Sequence, residues 1–339
     1  MLRRIFLILT ASVLTAGGRP VTAVDSIGMT VSNLDRSLEF YLQVLGFEKV
    51  SDFETHGDAI EHATGVFGAR IRTARLRLGA EFLELTEYLT PHGRAFPDDS
   101  RGNDLWFQHI AIVTGDMDRA YRHLRAHNVR HASPAPQSLP AWNPTAAGIQ
   151  AFYFRDPDGH FLEIISFPDG KGEARWHGKS EPLFLGIDHT AIVISDMEAS
   201  TKFYSEALGM HVAGDSENHG PEQERLNNVF GARLRIRGMR ADSGPGVEFL
   251  QYLAPSGGRP FPAGSMPNDL VHWHTRFRTG EAASTAERLR DQKAAFVSSG
   301  VVEMPDARAG FRKSVLVRDP DGHAVMVAEE VMFEPHRRK

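Results

Sequence analysis

Histidine, carboxylate and arginine must carry whatever chemistry this chain performs, because its 339 residues include no cysteine. Thiolate metal sites, cysteine nucleophiles and disulfides are thereby excluded. The sequence also lacks a Ser-His-Asp arrangement, a phosphate-binding glycine loop and a nucleic-acid motif. Two arginine clusters have the residue type that grips an anionic substrate by bidentate hydrogen bonds: Arg70, Arg72, Arg75 and Arg77, then Arg233, Arg235, Arg237 and Arg240. The first four keep strand spacing within each pair but change parity between pairs, so they share no simple face; a salt-bridged surface is the competing expectation. Trp106, Phe107, Trp142, Tyr153, Tyr88, Tyr252 and Trp273 could line an aromatic pocket, although core packing is the commoner role. The Pro-rich stretch 134–144 is either a lid or a plain surface loop. His160 and His323 follow tight turns and are expected at the surface.

The elements that must position these groups occur twice. Phe67-Gly68-Ala69-Arg70 returns as Phe230-Gly231-Ala232-Arg233, and Asn103-Asp104-Leu105 as Asn268-Asp269-Leu270. Arg155-Asp156-Pro157-Asp158-Gly159-His160 returns as Arg318-Asp319-Pro320-Asp321-Gly322-His323. The offset stays at 163 or 165 residues, which marks a tandem duplication.

Within each half a smaller order repeats: strand, helix, then several strands. In the first half, Val24 to Val31 reads as a strand, Arg36 to Leu45 as a helix ended by Gly46, and Arg70 to Leu78 and Phe82 to Leu89 as paired strands. Phe107 to Val113, Asp116 to His127, Ala151 to Phe154 and Phe161 to Phe167 follow the same order, and the second half repeats it twice more. Four βαβββ units and an α+β fold are implied. The expected boundaries are an export signal over 1–23, a first domain over 24–168, a linker over 169–184 and a second domain over 185–332.

Composition sets the class. Hydrophobic content of 41%, charged content of 24% and a formal charge of −5 describe an ordinary globular protein with no pull toward nucleic acid or a membrane surface. The start differs. Arg3-Arg4 precedes an apolar run from Ile5 to Ala16, too short to span a bilayer, and Val21-Thr22-Ala23 offers small residues for cleavage. Export to the periplasm or beyond is expected, and Arg3-Arg4-Ile5-Phe6-Leu7 resembles a twin-arginine signal.

The unit order, the segment from Ile187-Asp188-His189-Thr190 to Asp196-Met197, the segment from Phe203-Tyr204 to Leu208-Gly209 and the two Arg-Asp-Pro-Asp-Gly turns together resemble the vicinal oxygen chelate superfamily. That superfamily includes glyoxalase I, bleomycin-resistance proteins and extradiol dioxygenases. The resemblance implies that units pair into two curved, open mixed-sheet barrels. It also implies that each unit offers one metal ligand from its first strand and one from its last. The corresponding positions are Ser26 and Glu84, His109 and Glu163, His189 and Glu248, and His274 and Met326. Pairing of the second unit with the third gives a complete set, His109, Glu163, His189 and Glu248, beside a decayed outer set, and this is the favoured reading. Sequential pairing would instead make Glu84 and His274 ligands. Imidazole and carboxylate without thiolate suit Fe, Mn, Ni, Co or Zn.

What the resemblance implies for function is a divalent-metal enzyme acting on a small molecule with vicinal oxygens. Lewis-acid stabilisation of an enolate or oxyanion, with Glu163 or Glu248 as general base, fits isomerase, epimerase or lyase chemistry. Extradiol ring cleavage and metal-free ligand binding are the alternatives. No nucleic-acid partner and no membrane contact of the exported form is expected, and a monomer suffices for a complete site.

Overall fold

Two mixed nine-stranded sheets flanked by helices form the framework of a computed structural model that describes residues 20–178, 181–305 and 307–330. The first unit supplies strands β1 (Ala23–Val31), β2 (Glu48–His56), β3 (Arg70–Leu78) and β4 (Glu81–Thr90), with helices α1 (Leu34–Glu39) and α2 (Asp58–Thr64). The second supplies β5 (Gln108–Val113), α3 (Met117–Ala126), the two-residue β6 (Arg130–His131) and β7 (Gln137–Ser138), then β8 (Gln150–Arg155) and β9 (Phe161–Ser166). The third repeats the first: β10 (Gly186–Val193), α4 (Met197–Glu206), β11 (His211–His219), α5 (Pro221–Asn227), β12 (Arg233–Arg240) and β13 (Gly246–Ala254). The fourth repeats the second: β14 (Trp273–Thr279), α6 (Ala282–Asp291), β15 (Ala295–Phe296), β16 (Val302–Glu303), β17 (Phe311–Arg318) and β18 (Ala324–Glu330).

The sheets cross the sequence halves. One runs β11-β12-β13-β10-β5-β9-β8-β6 and joins the third unit to the second; the other runs β15-β17-β18-β14-β1-β4-β3-β2 and joins the fourth to the first. We call them the inner and outer sheets. Sequential pairing is therefore overturned: Glu84 and His274 lie in the outer sheet, away from His109, because β1 pairs with β14 and β5 with β10. The central strands β5 and β10 are buried on both faces, which explains their near-continuous apolar sequence. Helices cover the junction between the sheets. Leu34, Leu38, Met117 and Leu124 of α1 and α3 pack with Ile27 and Leu83 of the outer sheet and Ile110 and Ile164 of the inner one. Met197, Phe203, Ala286 and Leu289 of α4 and α6 do the same on the other side.

Two of the duplicated motifs, the Arg-Asp-Pro-Asp-Gly-His turns and the Asn-Asp-Leu segments, prove to be clasps. His160 and His323 are not at the surface; they are 0% and 2% exposed. His160 Nε2 donates to the Leu270 carbonyl at 2.7 Å while Nδ1 lies 2.8 Å from Asp156 Oδ2, and Asp156 raises the imidazole pKa although burial opposes it. His323 Nε2 donates to the Val193 carbonyl at 2.7 Å. The turn carboxylates reach across as well: Asp158 accepts from Ser32 N at 2.9 Å, and Asp321 from Ser195 N at 3.0 Å. Asp104 holds Arg259, and Asp269 holds Arg94 in the same way. Charge-assisted bonds of this kind contribute about 1.5–3 kcal/mol each.

The expected export signal falls on residues 1–19, which lie outside the described residues, and on 20–23, which do not. Val21 is 1% exposed, and its N–H donates to the Leu208 carbonyl. Residues 20–23 are thus part of the folded domain.

Because every sheet needs both halves, residues 20–178 expressed alone leave β1 and β5 with bare edges. Light scattering is expected to find that fragment dimeric or aggregated. A soluble monomer with native-like circular dichroism would contradict the topology.

Candidate metal centre

The inner sheet brings His109, Glu163, His189 and Glu248 to one concave face, through a register that a β-bulge sets. Going from Ile187 to His189 on β10 spans two residues, while the partner strand moves one, from Ile112 to Ala111. Asp188 is the extra residue. In a regular strand, neighbours point to opposite faces; the bulge lets Asp188 and His189 meet. Asp188 Oδ2 lies 2.9 Å from His189 Nδ1, and Trp176 and Arg240 hold the other side of that carboxylate. Burial would raise Asp188, but His189 and Arg240 keep it well below the usual carboxylate range. His189 thus presents Nε2 to the cavity in a fixed orientation, the arrangement by which an outer carboxylate orients a metal-ligating imidazole.

Nε2 of His109, a carboxylate oxygen of Glu163 and Nε2 of His189 belong to the one set of ligand atoms, among the described residues, that lie within 4.8 Å of one another. His109 Nε2 is 3.0 Å from Glu163 Oε2, and His189 Nε2 is 3.6 Å from the same oxygen. Neighbouring ligands around an ion with bonds of about 2.1 Å stand about 3 Å apart. Neither ring nitrogen of His109, nor Nε2 of His189, has a hydrogen-bond partner although all are buried. Orphaned buried nitrogens are rare and call for an explanation, and a bound cation supplies one. Electrostatics agrees: burial disfavours charge on His189, yet Glu248, Asp188 and Glu163 together push it up to about 9. These residues fit a divalent metal.

Glu248 stands outside the trio. Its Oε2 comes within 3.6 Å of His189 Nε2, and its side chain is 28% exposed against 5% for Glu163. Burial raises its pKa, opposed chiefly by His189. A cavity of about 270 Å³ opens beside it. Tyr153 and Arg240 line this cavity, as do Leu139 of the Pro-rich stretch and Thr145 and Ala146 just after it, so this loop forms a wall. Asn143 pins that loop by donating to Asn218 Oδ1 at 2.6 Å. A chain of buried amides continues from Asn218 to Gln223 and Asn227 and ends on the Tyr252 hydroxyl. Sequence reasoning missed Asp188 and these amides. Asp188 had a signal in its adjacency to His189; the amides had none.

The outer sheet repeats the geometry with different charges. Asp25 is the extra residue of an equivalent bulge, and Ser26 and His274 occupy the positions of His189 and His109. Register also equates Arg276 with Ala111, and Arg75 with Gly238. Arg75 and Arg276 bind Glu84 at 2.8 and 2.9 Å, and both bind Asp25. Burial raises Glu84 to about 7, and Arg75 is the main force lowering it. Two tethered guanidiniums occupy the region where the inner sheet leaves room for an ion. Of the other arginines in the two clusters, Arg240 holds Asp188 and the rest pair with nearby carboxylates: Arg70 with Glu54, Arg72 with Asp52, Arg77 with Glu48, Arg233 with Glu217, Arg235 with Glu198 and Arg237 with Asp215.

Comparison with known proteins agrees with this architecture. Residues 23–164 and 186–327 each match the model of the Glyoxalase/Bleomycin resistance protein/Dioxygenase superfamily. Over 163 residues the chain is 34% identical to a 2-epi-5-epi-valiolone epimerase of Actinomyces sp., covering 46% of this chain and 86% of that protein. Over 203 residues it is 24% identical to a lactoylglutathione lyase of Arabidopsis thaliana, covering 59% of each. A glyoxalase I variant from Zea mays shares the fold with a TM-score of 0.61 at 17% identity, over 91% of this chain and 92% of that one.

If Asp188 orients His189 for a metal, Asp188→Asn should weaken metal affinity by about 10–100-fold in a chelator competition while the far-ultraviolet spectrum is unchanged. Unaltered affinity would show that Asp188 serves packing alone.

Proposed function

The chain belongs to the Glyoxalase/Bleomycin resistance protein/Dioxygenase superfamily, and from that premise we propose that it is a metal-dependent epimerase or isomerase of a small polyoxygenated ketone. The observation that carries this reading is the buried trio His109, Glu163 and His189, in which two unpartnered Nε2 atoms face one carboxylate. His109, Glu163 and His189 would hold the ion, with Glu248 at its edge. A divalent metal held there supplies Lewis-acid stabilisation of the oxyanion that develops when a proton leaves the carbon beside a carbonyl.

The residues do the rest. Epimerisation needs one group to take a proton from carbon and another to return it on the opposite face. Glu248 and Glu163 are carboxylates of different strands, β13 and β9, and both line the cavity. Glu248, more exposed and outside the trio, takes the proton; water reaching the cavity returns one to the other face, while Glu163 stays with the ion. The C–H bond broken on one face is re-formed on the other, and no oxidant is required. Asn218 and Gln223 line the same cavity and suit hydroxyl groups of a substrate ring. The likeness to a 2-epi-5-epi-valiolone epimerase supports a cyclic polyhydroxy ketone as the substrate class.

One observation favours a second reading. Two imidazoles and one carboxylate, with Glu248 set apart, is also the ligand pattern of Fe(II) oxygenases. Oxygen uptake by iron-loaded protein with catechol would establish it.

The test of the first reading is proton exchange. In deuterated buffer, 2-epi-5-epi-valiolone is expected to gain deuterium beside its carbonyl and to yield its epimer, by nuclear magnetic resonance. Glu248→Gln should lower that rate about 10²–10⁴-fold with metal still bound. An unaffected rate in Glu248→Gln, or exchange that persists after metal removal, would refute the assignment.

A further inference from the structure

The outer sheet encloses a second cavity, which the inner-sheet chemistry does not use. Its volume is about 120 Å³, and α2, Met304, Arg308 and Ala309 border it. Phe53, Ile60, Tyr88, Met304, Phe311 and Met326 make its walls predominantly apolar. An apolar cavity of about 150 Å³ is large enough to take benzene, so this one is of the size of a single six-membered ring.

Polar side chains also border it, among them Thr73, Arg75, Glu84 and Thr86, and three polar atoms are left open. Nε2 of His274, Nδ1 of His272 and Oγ1 of Thr55 are buried without a hydrogen-bond partner, and all three residues line the cavity. His272 is only 6% exposed. Its other nitrogen lies 3.4 Å from His274 Nδ1, so the two rings face each other and leave one nitrogen each unsatisfied. Gly28 makes this possible: a Cβ there would fall 2.1 Å from the His274 ring. A buried polar atom left unpaired is costly, and a ligand hydroxyl or carbonyl offsets that cost.

Charge decides the ligand class. Burial holds both histidines neutral, His272 well below its ordinary value and His274 at about 4. Glu84, on the cavity floor, is engaged by Arg75 and Arg276. Arg308, at the rim, stacks on Phe53. We propose that this cavity is a second, metal-free ligand site for a neutral six-membered ring bearing one hydrogen-bonding group, of the phenol or cyclic-alcohol class. His274 and His272 recognise the polar group, and the walls enclose the ring. The assignment does not depend on the reaction at the inner sheet.

Calorimetric titration and thermal melting of the full chain with phenol, cyclohexanol and benzoate test it. Phenol and cyclohexanol are expected to bind at about one equivalent per chain and to raise the melting temperature, and benzoate to do neither. Ala63→Phe, which fills the cavity, should weaken phenol at least about tenfold and leave metal content unchanged. His274→Leu removes the unpaired nitrogen without filling the space, so it should weaken phenol and spare benzene. Absence of saturable phenol binding, phenol affinity that survives both substitutions, or a stronger response to benzoate would overturn the site.

Discussion

Buried carboxylates on the concave face of each sheet must be neutralised, and the two sheets do this differently. The fold imposes the need: a β-bulge at the head of β10 and of β1 sets an aspartate beside a glutamate in a largely desolvated cleft. Uncompensated charge there costs several kcal/mol. In the outer sheet, Arg75 and Arg276 meet the requirement from within the chain. In the inner sheet the equivalent positions are Gly238 and Ala111, a Cβ at Gly238 would touch nothing, and while Arg240 reaches Asp188, Glu163 and Glu248 face two histidines with unpartnered nitrogens. A divalent cation is the natural complement of that vacant charge. Duplication thus yielded one scaffold with two electrostatic solutions, of which only one leaves room for chemistry.

The same duplication explains why the repeated motifs are the most regular part of the sequence yet touch no site. The Arg-Asp-Pro-Asp-Gly-His turns and the Asn-Asp-Leu segments bind across units: His160 to the Leu270 carbonyl, His323 to the Val193 carbonyl, Asp104 to Arg259 and Asp269 to Arg94. They fix one sheet against the other. The first and last strands of the units carry the ligand candidates, and they diverge between copies: Ser26 against His189, Met326 against Glu163.

Much of this was legible in the residues. Strands buried on both faces announce themselves by unbroken apolar runs, as β5 and β10 do, and the unit order followed from them. Strands β2 and β11 did not, because their residues are mostly exposed and polar and show no period of two. Helices α2 and α5, of seven residues each, were missed as well. The burial of His160 and His323 was misjudged, since a tight turn is a surface feature unless a neighbouring domain closes over it, and that closure is tertiary. Positions His109, Glu163, His189 and Glu248 converge on one face as the resemblance implies. What sequence could not reveal is the tethering of Arg75 and Arg276 to Glu84 and Asp25. It depends on which residues face each other across β1, β14 and β3, and register is fixed only in the folded sheet.

The most direct test of this account is elemental analysis of the full chain purified without chelator. Charge compensation by arginine in one sheet and by an ion in the other predicts about one equivalent of a divalent transition metal per chain, retained in Glu84→Gln and lost in the His109→Ala, His189→Ala double variant. Two equivalents, or metal that survives the double variant, would contradict it.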